Sequence, residues 1–393
     1  MPVINRIAEF HQEIGTWRRD LHRHPETAFE EHRTSDFVAG KLAEWGIEVH
    51  RGLAGTGVVG FLHGQQDSGR RIGLRADLDA LHILELNDFE HKSRNEGKMH
   101  ACGHDGHTAM LLGAAKYLAE TRNFDGGVAF IFQPAEENEG GGRVMVEDGL
   151  FDLFPVEAVY GLHNMPGRAA GTVGLRAGPA MAAFDIFELT VTGKGSHAAM
   201  PEQGIDPIVV GAQIVGALQT IASRRTEALD SVVVSVTQFH AGDTWNVIPN
   251  SAVIRGTVRS FRRETQDRVE ADIERIAQGI VASQGATMEI RYERRYPALV
   301  NTVAETDIAA AVAREVVGED KVEVGAEALM GSEDFAYMLQ EKPGCYIWLG
   351  NGTEGGPGGC AVHNPHYDFN DEIAVVGASY WAKLVEHTLP REG

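Results

Sequence analysis

The chain has 393 residues, of which 43% are hydrophobic and 23% are charged, and this length favours two domains over a single core. Its 35 basic and 56 acidic residues give a formal net charge of −21, which argues against nucleic acid and membrane as partners, because phosphates are bound through clustered Lys and Arg. No apolar run reaches the roughly 18 residues of a membrane span, and the first residues contain no signal-peptide core. The three cysteines cannot form a closed set of disulfides, so we expect a soluble protein in the reducing cytoplasm.

The first part of the chain mixes helical and strand patterns. Apolar residues recur at helical spacing near 3–22 and 30–46, and Thr108–Thr121 predicts a buried helix. Short apolar runs predict strands at Gly57–His63, Arg71–Arg75, Val128–Gln133 and Ala158–Leu162. Continuous apolar strands separated by helices are typical of a mostly parallel sheet covered on both faces, so we expect an α/β fold. Functional groups in such sheets gather where the strands end.

From about Ala180 the pattern changes to an α+β one. The predicted elements follow the order βαββαβ, over Phe184–Thr192, Asp206–Ser223, Val232–Gln238, Ala252–Arg259, Glu264–Ser283 and Met288–Tyr292. This order is typical of a compact, two-layer, ferredoxin-like unit. The chain then returns to the first pattern with a helix, a strand and a helix at Glu305–Val317, Cys345–Leu349 and Glu372–His387. We therefore expect one α/β domain over 1–180 and 294–393, interrupted by an inserted smaller domain over 181–293.

The densest polar cluster is Met99–His107, which holds several histidines, a thiol and a carboxylate just before the apolar helix. Cys102 and His104 are two residues apart, so in an extended loop both can face one ion, and the glycines beside them let the backbone bend. A single histidine here would more simply cap the helix or lie solvated on a loop. The density of the cluster favours metal binding instead.

Further candidates follow the predicted strands. Glu136 and Glu137 come directly after Val128–Gln133, where neighbouring side chains point in different directions. One of them could bind metal while the other acts as a base, and spacing alone does not say which. His163 follows another strand, and His363 lies near the C-terminus. Together with the thiol these groups form the mixed N, O and S donor set that suits Zn²⁺, Mn²⁺ or Co²⁺.

Two other interpretations have weaker support. A closed structural zinc site could combine Cys102-x-His104 with Cys360-x-x-His363, but it leaves the glutamate pair unexplained. Glycine patterns of the dinucleotide-binding type occur at Gly55–Gly60 and Gly193–Ala198. That chemistry needs a strand, a glycine turn and a helix in order, whereas the first run leads into a strand and the second meets a proline.

The motifs, taken in order, resemble those of M20-type metallopeptidases, and the resemblance spans nearly the whole chain. It is greatest to the amidohydrolase branch, which includes hippurate hydrolases, bacterial N-acyl-amino-acid amidohydrolases and plant auxin-conjugate hydrolases. The matching segments are Leu21–Glu26, Arg75–Leu81, His100–His107, Gln133–Glu137, His163-Asn164 and His363–Asp371.

The resemblance implies a centre of two divalent metal ions with Glu136 as the general base and Cys102 as the bridging ligand. The implied metal ligands are Cys102, His104, Glu137, His163 and His363. The residues implied to orient these ligands are Asp77, Asp79 and Asp105.

The inserted domain resembles the family's lid, which also carries a homodimer interface. The resemblance implies that His197 of the lid polarises the scissile carbonyl, either in its own subunit or across the dimer. Asn246 and Arg259 are candidates for binding the substrate carboxylate, although Arg259 could equally be an ordinary strand residue.

The implied reaction is metal-dependent hydrolysis of the amide bond of an N-acyl amino acid. One alternative is a dipeptidase or carboxypeptidase of the same superfamily. Another is a catalytically silent binding protein for acylated amino acids, against which the retained Glu136 argues because a binding protein needs no base. The sequence does not identify the acyl group, and benzoyl, acetyl, indoleacetyl and longer chains all stay open.

Overall fold

The computed structural model describes residues 3–137 and 139–391. The chain forms two compact units. The larger unit contains Met1–Gly178, Val300–Glu327 and Asp334–Gly393, and the smaller unit contains Pro179–Leu299 and Ala328–Glu333. The smaller unit is therefore formed mainly by one continuous insertion into the chain of the larger unit.

The regular elements of the described residues cover most of both units. The α-helices are α1 (Asn5–Glu9), α2 (His11–Arg23), α3 (His32–Glu44), α4 (His104–Thr121), α5 (Gly141–Glu147), α6 (Leu150–Leu153), α7 (Pro207–Thr220), α8 (Arg263–Gln284), α9 (Val303–Val317), α10 (Ala336–Glu341) and α11 (Ala374–Thr388). The β-strands are β1 (Glu48–Arg51), β2 (Val58–His63), β3 (Gln66–Asp77), β4 (Asp125–Gln133), β5 (Ala158–Pro166), β6 (Val173–Leu175), β7 (Gly178–Met181), β8 (Ala183–Thr192), β9 (Ser196–His197), β10 (Val232–His240), β11 (Val247–Ile248), β12 (Ser251–Ser260), β13 (Thr287–Tyr296), β14 (Leu299–Asn301), β15 (Val322–Val324) and β16 (Gly344–Gly352). None of the helices described is both long and apolar enough to cross a membrane.

The central sheet of the larger unit has the strand order β1-β2-β4-β3-β5-β16-β6-β15. The parallel pairs are β3–β4, β3–β5, β5–β16 and β6–β15. The antiparallel pairs are β1–β2, β2–β4 and β6–β16. β16 is buried along its whole length and β4 along nearly all of it, as expected for strands of continuous apolar sequence. The predicted α/β fold with a mostly parallel sheet is confirmed.

Helix α4 lies in the interior of the larger unit, where it contacts α2, α3, α11 and β3. Its residues are buried on every side from His104 to Ala115, as expected for a helix that is apolar around most of its circumference. Gly113 permits the close approach of α2, because a Cβ at this position would lie 2.7 Å from Ile14 Cδ1. The start of α4 is therefore fixed by tight packing along the rest of the helix.

Neighbouring parallel strands bring polar residues to one edge of the sheet. β3 ends at Asp77 and β4 ends at Gln133, and the register pairs these two residues. β5 carries His163, which pairs with Trp348 of β16. Because parallel strands have their carboxyl ends at the same edge, the loops that follow β3, β4 and β5 converge there.

The smaller unit is built on a four-stranded antiparallel sheet with the order β10-β12-β8-β13. Strand β8 alternates between buried and half-buried residues, so one face of this sheet is covered and the other is more open. Helices α7 and α8 contact each other and the sheet, and they close a core with residues such as Leu189, Ile214, Ile254 and Ile273. The short strands β9 and β11 pair separately, with His197 opposite Val247.

Two predicted helices have different bounds in the structure. The helical pattern near 3–22 forms two helices, α1 and α2, because the Phe10 N–H bonds to the Ile7 carbonyl in a tighter turn. The buried helix predicted to begin at Thr108 begins at His104, so part of the expected metal-binding loop is helical.

Candidate metal centre

The entry into α4 differs from the extended loop that the sequence analysis expected. His104 is the first residue of the helix, and Cys102 lies two residues before it. Gly103 between them has a φ of 100°, and a Cβ there would lie 2.3 Å from Asn164 Nδ2 and 2.5 Å from Tyr367 Oη. Only glycine fits this turn, which places the thiol and the imidazole side by side at the helix start.

The predicted metal ligands form two overlapping groups. Cys102, His104 and His163 each offer one ligand atom, and these atoms lie within 4.8 Å of one another. Cys102, Glu137 and His363 form a second such group, so the thiol is common to both. Cys102 Sγ lies 3.3 Å from His163 Nε2, and His363 Nε2 lies 3.1 Å from Glu137 Oε1. The fold thus brings together side chains from four separate segments of the chain.

The two neighbouring glutamates take different places around this cluster. Both follow Ala135, which has a φ of 54°. Glu136 is buried and forms a third group within 4.8 Å with His104 and Glu137. Glu137 also belongs to the group that contains Cys102 and His363, and its backbone N–H donates to Asp79 Oδ2 at 2.9 Å.

Two of the three predicted orienting aspartates contact histidines at the start of α4. Asp79 lies beside His104, whose Nδ1 is 2.9 Å from the Asp79 backbone oxygen and 3.2 Å from its Oδ1. Asp77 Oδ1 lies 2.6 Å from Nδ1 of His107. Asp105 faces another partner, because its Oδ2 lies 2.8 Å from Nδ1 of the buried His22. Asp79 therefore acts on a predicted ligand directly, whereas Asp105 joins the start of α4 to α2.

Burial and neighbouring charges shift the pKa values of several groups in the cluster. Burial raises the pKa of the Cys102 thiol, and the nearby Glu137 raises it further. Burial also lowers the pKa of His163 well below its usual range. Hydrogen bonds to Cys102 and Glu137 raise the pKa of His363 to about 10. The raised pKa values show that Glu137 and Cys102 favour positive charge beside them, which a divalent cation bound by the same residues would supply.

The donor atoms fit a divalent metal centre. His104 Nε2 is buried and makes no hydrogen bond of normal geometry among the described residues. Its Nδ1 faces Asp79, which is the usual arrangement for a metal-binding histidine whose other nitrogen is the ligand. Sulfur, imidazole nitrogen and carboxylate oxygen together suit Zn²⁺, Mn²⁺ or Co²⁺. Such an ion would satisfy a buried polar atom that is otherwise costly to leave without a partner.

The loop of His363 is tied to the loop of Cys102. The His363 backbone N–H donates to the Ala101 carbonyl at 2.7 Å, and His363 has a φ of 61°. Cys360, which the structural zinc interpretation required, lines a different pocket beside Arg18 and Asp368. Among the described residues it joins no group of potential ligands with Cys102, so the structure does not support that interpretation.

His197 and Asn246 lie in the smaller unit, on the paired strands β9 and β11 and the turn beside them. The Ala198 N–H donates to the Asn246 carbonyl at 3.0 Å. His197 is exposed and lines an open cavity of about 1120 Å³ together with His240. Its Nδ1 accepts the Ala199 N–H at 3.0 Å, so in the neutral ring Nε2 carries the proton and can act as a donor.

Arg259, the other substrate-binding candidate, also lies in the smaller unit. Its guanidinium carbon lies 4.0 Å from the centre of the Phe184 ring, and Nη1 donates to the Val258 carbonyl at 3.2 Å. Burial lowers the pKa of Arg259. A partly buried guanidinium is suited to binding an anion, but the stacking on Phe184 also suits an ordinary strand residue.

A further group of residues holds the cluster in place, a role that the sequence did not reveal although these residues lie within the segments that resemble the family. Asn164 donates from its backbone N–H to His107 Nε2 at 3.0 Å and from its side chain to the Cys102 carbonyl at 2.6 Å. Tyr367 Oη donates to Asn164 Oδ1 at 2.7 Å. His107 could have been found, because it lies three residues after His104 on one helix face. Tyr367 lies in the matching segment His363–Asp371, but its neighbouring sequence does not indicate a contact with Asn164.

Comparisons with known proteins define the class. The profile of peptidase family M20/M25/M40 matches residues 73–387, and the chain belongs to this family. A hippurate hydrolase from Campylobacter jejuni is 40% identical over 384 residues, which cover 98% of each chain. An N-acetylcysteine deacetylase from Bacillus subtilis is 40% identical over 378 residues, 95% of this chain and 96% of the relative.

A solved structure supports the same class. The crystal structure of a Bacillus subtilis protein, described as a dinuclear metal binding peptidase from the M20 family, matches with a TM-score of 0.84 and 37% identity. The match covers 97% of this chain and 99% of that chain. The predicted family is confirmed, and so is the prediction that the chain is a hydrolase.

Proposed function

We propose that the chain hydrolyses the amide bond of N-acyl amino acids and releases a carboxylate and a free amino acid. The observation that carries the proposal is the pair of overlapping ligand groups with Cys102 in common. The names of the two relatives support it, because hippurate and N-acetylcysteine are both N-acyl amino acids. The proposed ligands of two metal ions are Cys102, His104, Glu137, His163 and His363.

The chain's own residues carry out the proton transfers and orient the ligands. Divalent ions held there would lower the pKa of a water molecule in the site and would polarise the amide oxygen. Glu136 accepts the proton of the attacking water and passes it to the leaving amine. Its burial and its place beside His104 and Glu137 support this role. Asp77, Asp79 and Asp105 orient the surrounding histidines.

In this proposal the smaller unit supplies a hydrogen-bond donor and the residues that bind the substrate carboxylate. His197 donates through Nε2 to the oxygen that becomes negative in the transition state, and the tautomer set by the Ala199 N–H supports this. Asn246 and Arg259 bind the substrate carboxylate. We also propose that the protein forms a homodimer through this unit and is located in the cytoplasm. The proposed metal is Mn²⁺, Zn²⁺ or Co²⁺.

The runner-up is a dipeptidase or carboxypeptidase that uses the same centre. The two functions differ in the acyl side of the substrate. A dipeptide carries a free amino group there, whereas an N-acyl amino acid does not, so substrates of the two kinds distinguish the two functions. A catalytically silent binding protein has less support, because a binding protein would not need Glu136 beside the ligand groups.

A substrate panel tests the proposal. Metal-loaded protein is incubated with hippurate, N-acetylcysteine, an indoleacetyl amino acid and several dipeptides, and the released amino acid is measured. We expect cleavage of one or more N-acyl amino acids and little cleavage of the dipeptides. Preference for dipeptides would favour the runner-up, and binding of hippurate without cleavage of any substrate would contradict the proposed function.

A further inference from the structure

A buried glutamate distant in sequence from the cluster contacts the backbone of the segment that carries the proposed base. Glu31, which directly precedes α3, is fully buried. Its Oε1 accepts the N–H of Ala135 at 2.9 Å and the N–H of Phe29 at 3.0 Å. Its Oε2 accepts the hydroxyl of Thr56 at 2.6 Å. One carboxylate oxygen thus joins the loop before α3 to the loop after β4.

Both residues that donate to this oxygen have a left-handed backbone. Ala135 has a φ of 54° and Phe29 has a φ of 61°. Residues other than glycine rarely adopt such values, and they persist where the surrounding structure holds them. The carbonyl of Ala135 is held as well, because it accepts the Gly141 N–H at 2.8 Å. A Cβ at Gly141 would lie 1.9 Å from the Pro134 oxygen, so this closure also depends on glycine.

The turn at Ala135 sets the direction of the next residue, which is Glu136. If Ala135 relaxed to a negative φ, the side chain of Glu136 would leave the end of β4 in another direction. Glu137 is anchored separately, because its N–H donates to Asp79 Oδ2 at 2.9 Å. Loss of the Glu31 contact should therefore displace Glu136 more than Glu137.

We propose that Glu31 is a positioning residue that holds the left-handed turn at Ala135 and so directs Glu136 toward its partners in the centre. This inference rests on the proposed role of Glu136 as the base. It requires an oxygen acceptor at position 31 and does not require that Glu31 touch substrate or metal.

The test compares variants that keep or remove this acceptor. Glu31→Gln keeps a carbonyl oxygen for the Ala135 N–H, while its amide can donate to the Thr56 hydroxyl. Glu31→Leu fills similar space without an acceptor. Thr56→Val is the matched control, because it removes a buried hydrogen bond to the same carboxylate but leaves the Ala135 contact. For each variant, kcat, KM, bound metal per chain and the thermal midpoint of unfolding are measured.

We expect Glu31→Leu to lower kcat by about 10- to 100-fold with KM and metal content unchanged, as for a misplaced catalytic group. Glu31→Gln and Thr56→Val should keep kcat near the wild-type value, even where the unfolding midpoint falls. Full activity of Glu31→Leu would overturn the inference. An equal loss in Glu31→Gln or Thr56→Val would also overturn it, because that result would indicate only a structural role.

A second variant covers the case in which Glu31→Leu does not fold. Ala135→Val strains the same turn without touching Glu31, because a β-branched residue disfavours positive φ. It should lower kcat while metal stays bound, and unchanged kcat would contradict the inference. Glu136→Gln serves as the reference. If Glu136→Gln stays active, the proposed function fails, whereas loss of activity there with an active Glu31→Leu contradicts the positioning role alone.

Discussion

The candidate residues of the two units differ in how firmly the chain holds them. His104 is almost fully buried and contacts Asp79, and Cys102 lies against His163. His197 of the smaller unit is exposed, and Trp245, next to the candidate Asn246, has a relative exposure of 102%. The candidate metal ligands other than His363 are therefore held by buried contacts within the larger unit, whereas His197 and Asn246 of the smaller unit lie on an accessible surface. Substitutions in the first group should change metal content, and those in the second should change turnover alone.

The largest expected effect is the loss of the shared thiol. Cys102→Ala removes the side chain common to both ligand groups, so it should abolish measurable hydrolysis and lower the bound metal per chain. Metal content by atomic emission and activity on the best substrate are the measurements. Cys345→Ala, which alters a fully buried thiol of β16, is the matched control and should keep its metal. Full metal content and activity in Cys102→Ala would contradict the assignment.

The next prediction distinguishes the roles of the two neighbouring glutamates. Glu136→Gln should lower kcat by at least about 100-fold, because it removes the proton acceptor, while metal content stays at the wild-type value. Glu137→Gln should lower metal content as well, since Glu137 belongs to the group with Cys102 and His363. Near-normal turnover of Glu136→Gln, measured at saturating substrate, would rule out Glu136 as the general base.

A substitution of His197 in the smaller unit should lower turnover without changing metal content, unlike Cys102→Ala. His197→Ala should lower kcat by about 100- to 1000-fold, the range for loss of one transition-state donor, without loss of metal. His240→Ala is the matched control, because His240 lines the same cavity. Equal losses in the two variants would argue against a specific role for His197.

The smallest expected effect is a pH dependence of stability in the larger unit. Burial alone lowers the pKa of His22, but hydrogen bonds to Asp105 and Glu85 raise it to about 9. The protonated ring therefore stabilises the fold below pH 6.5, and this contribution is lost as the pH rises through about 9. Its upper size is about 3 kcal/mol, from the conversion of 1.36 kcal/mol for each unit of pKa.

Denaturant unfolding between pH 6 and 10 measures this contribution. His22→Asn should be less stable than the wild type at pH 6, and the difference should shrink at high pH. His11→Asn, at the half-buried start of the same helix, is the control and should follow the wild-type pH dependence. A constant difference between His22→Asn and the wild type across this range would refute the assignment.

The sequence could predict what depends on local pattern. The parallel sheet followed from continuous apolar strands, and the polar clusters at Met99–His107 and Glu136-Glu137 indicated candidate ligands. The full ligand set and the role of Glu136 came from the resemblance to M20-type metallopeptidases. The start of α4 was placed too late because polar residues such as His104 and Asp105 hid a helix that packing stabilises. Propensity is weak against such tertiary contacts.

Contacts between distant segments could not be predicted in this way. Glu31 and Ala135 are 104 residues apart, and Tyr367 and Asn164 are 203 residues apart. A glutamate before a helix is ordinarily a solvated or capping residue. Its sequence context therefore gave no reason to expect Glu31 beside Ala135, which precedes the glutamate pair. Hydrogen bonds of this kind depend on the complete fold and not on the residues nearby.

The most direct test of the central claim is to count the metal ions that restore activity. Protein stripped of metal is titrated with Mn²⁺, Zn²⁺ or Co²⁺, while bound metal and hydrolysis of the best N-acyl amino acid are followed together. The account predicts two bound ions per chain and hydrolysis that reappears as they bind. Full hydrolysis by the metal-free protein, or saturation at a single ion, would contradict a centre in which Cys102 serves both ligand groups.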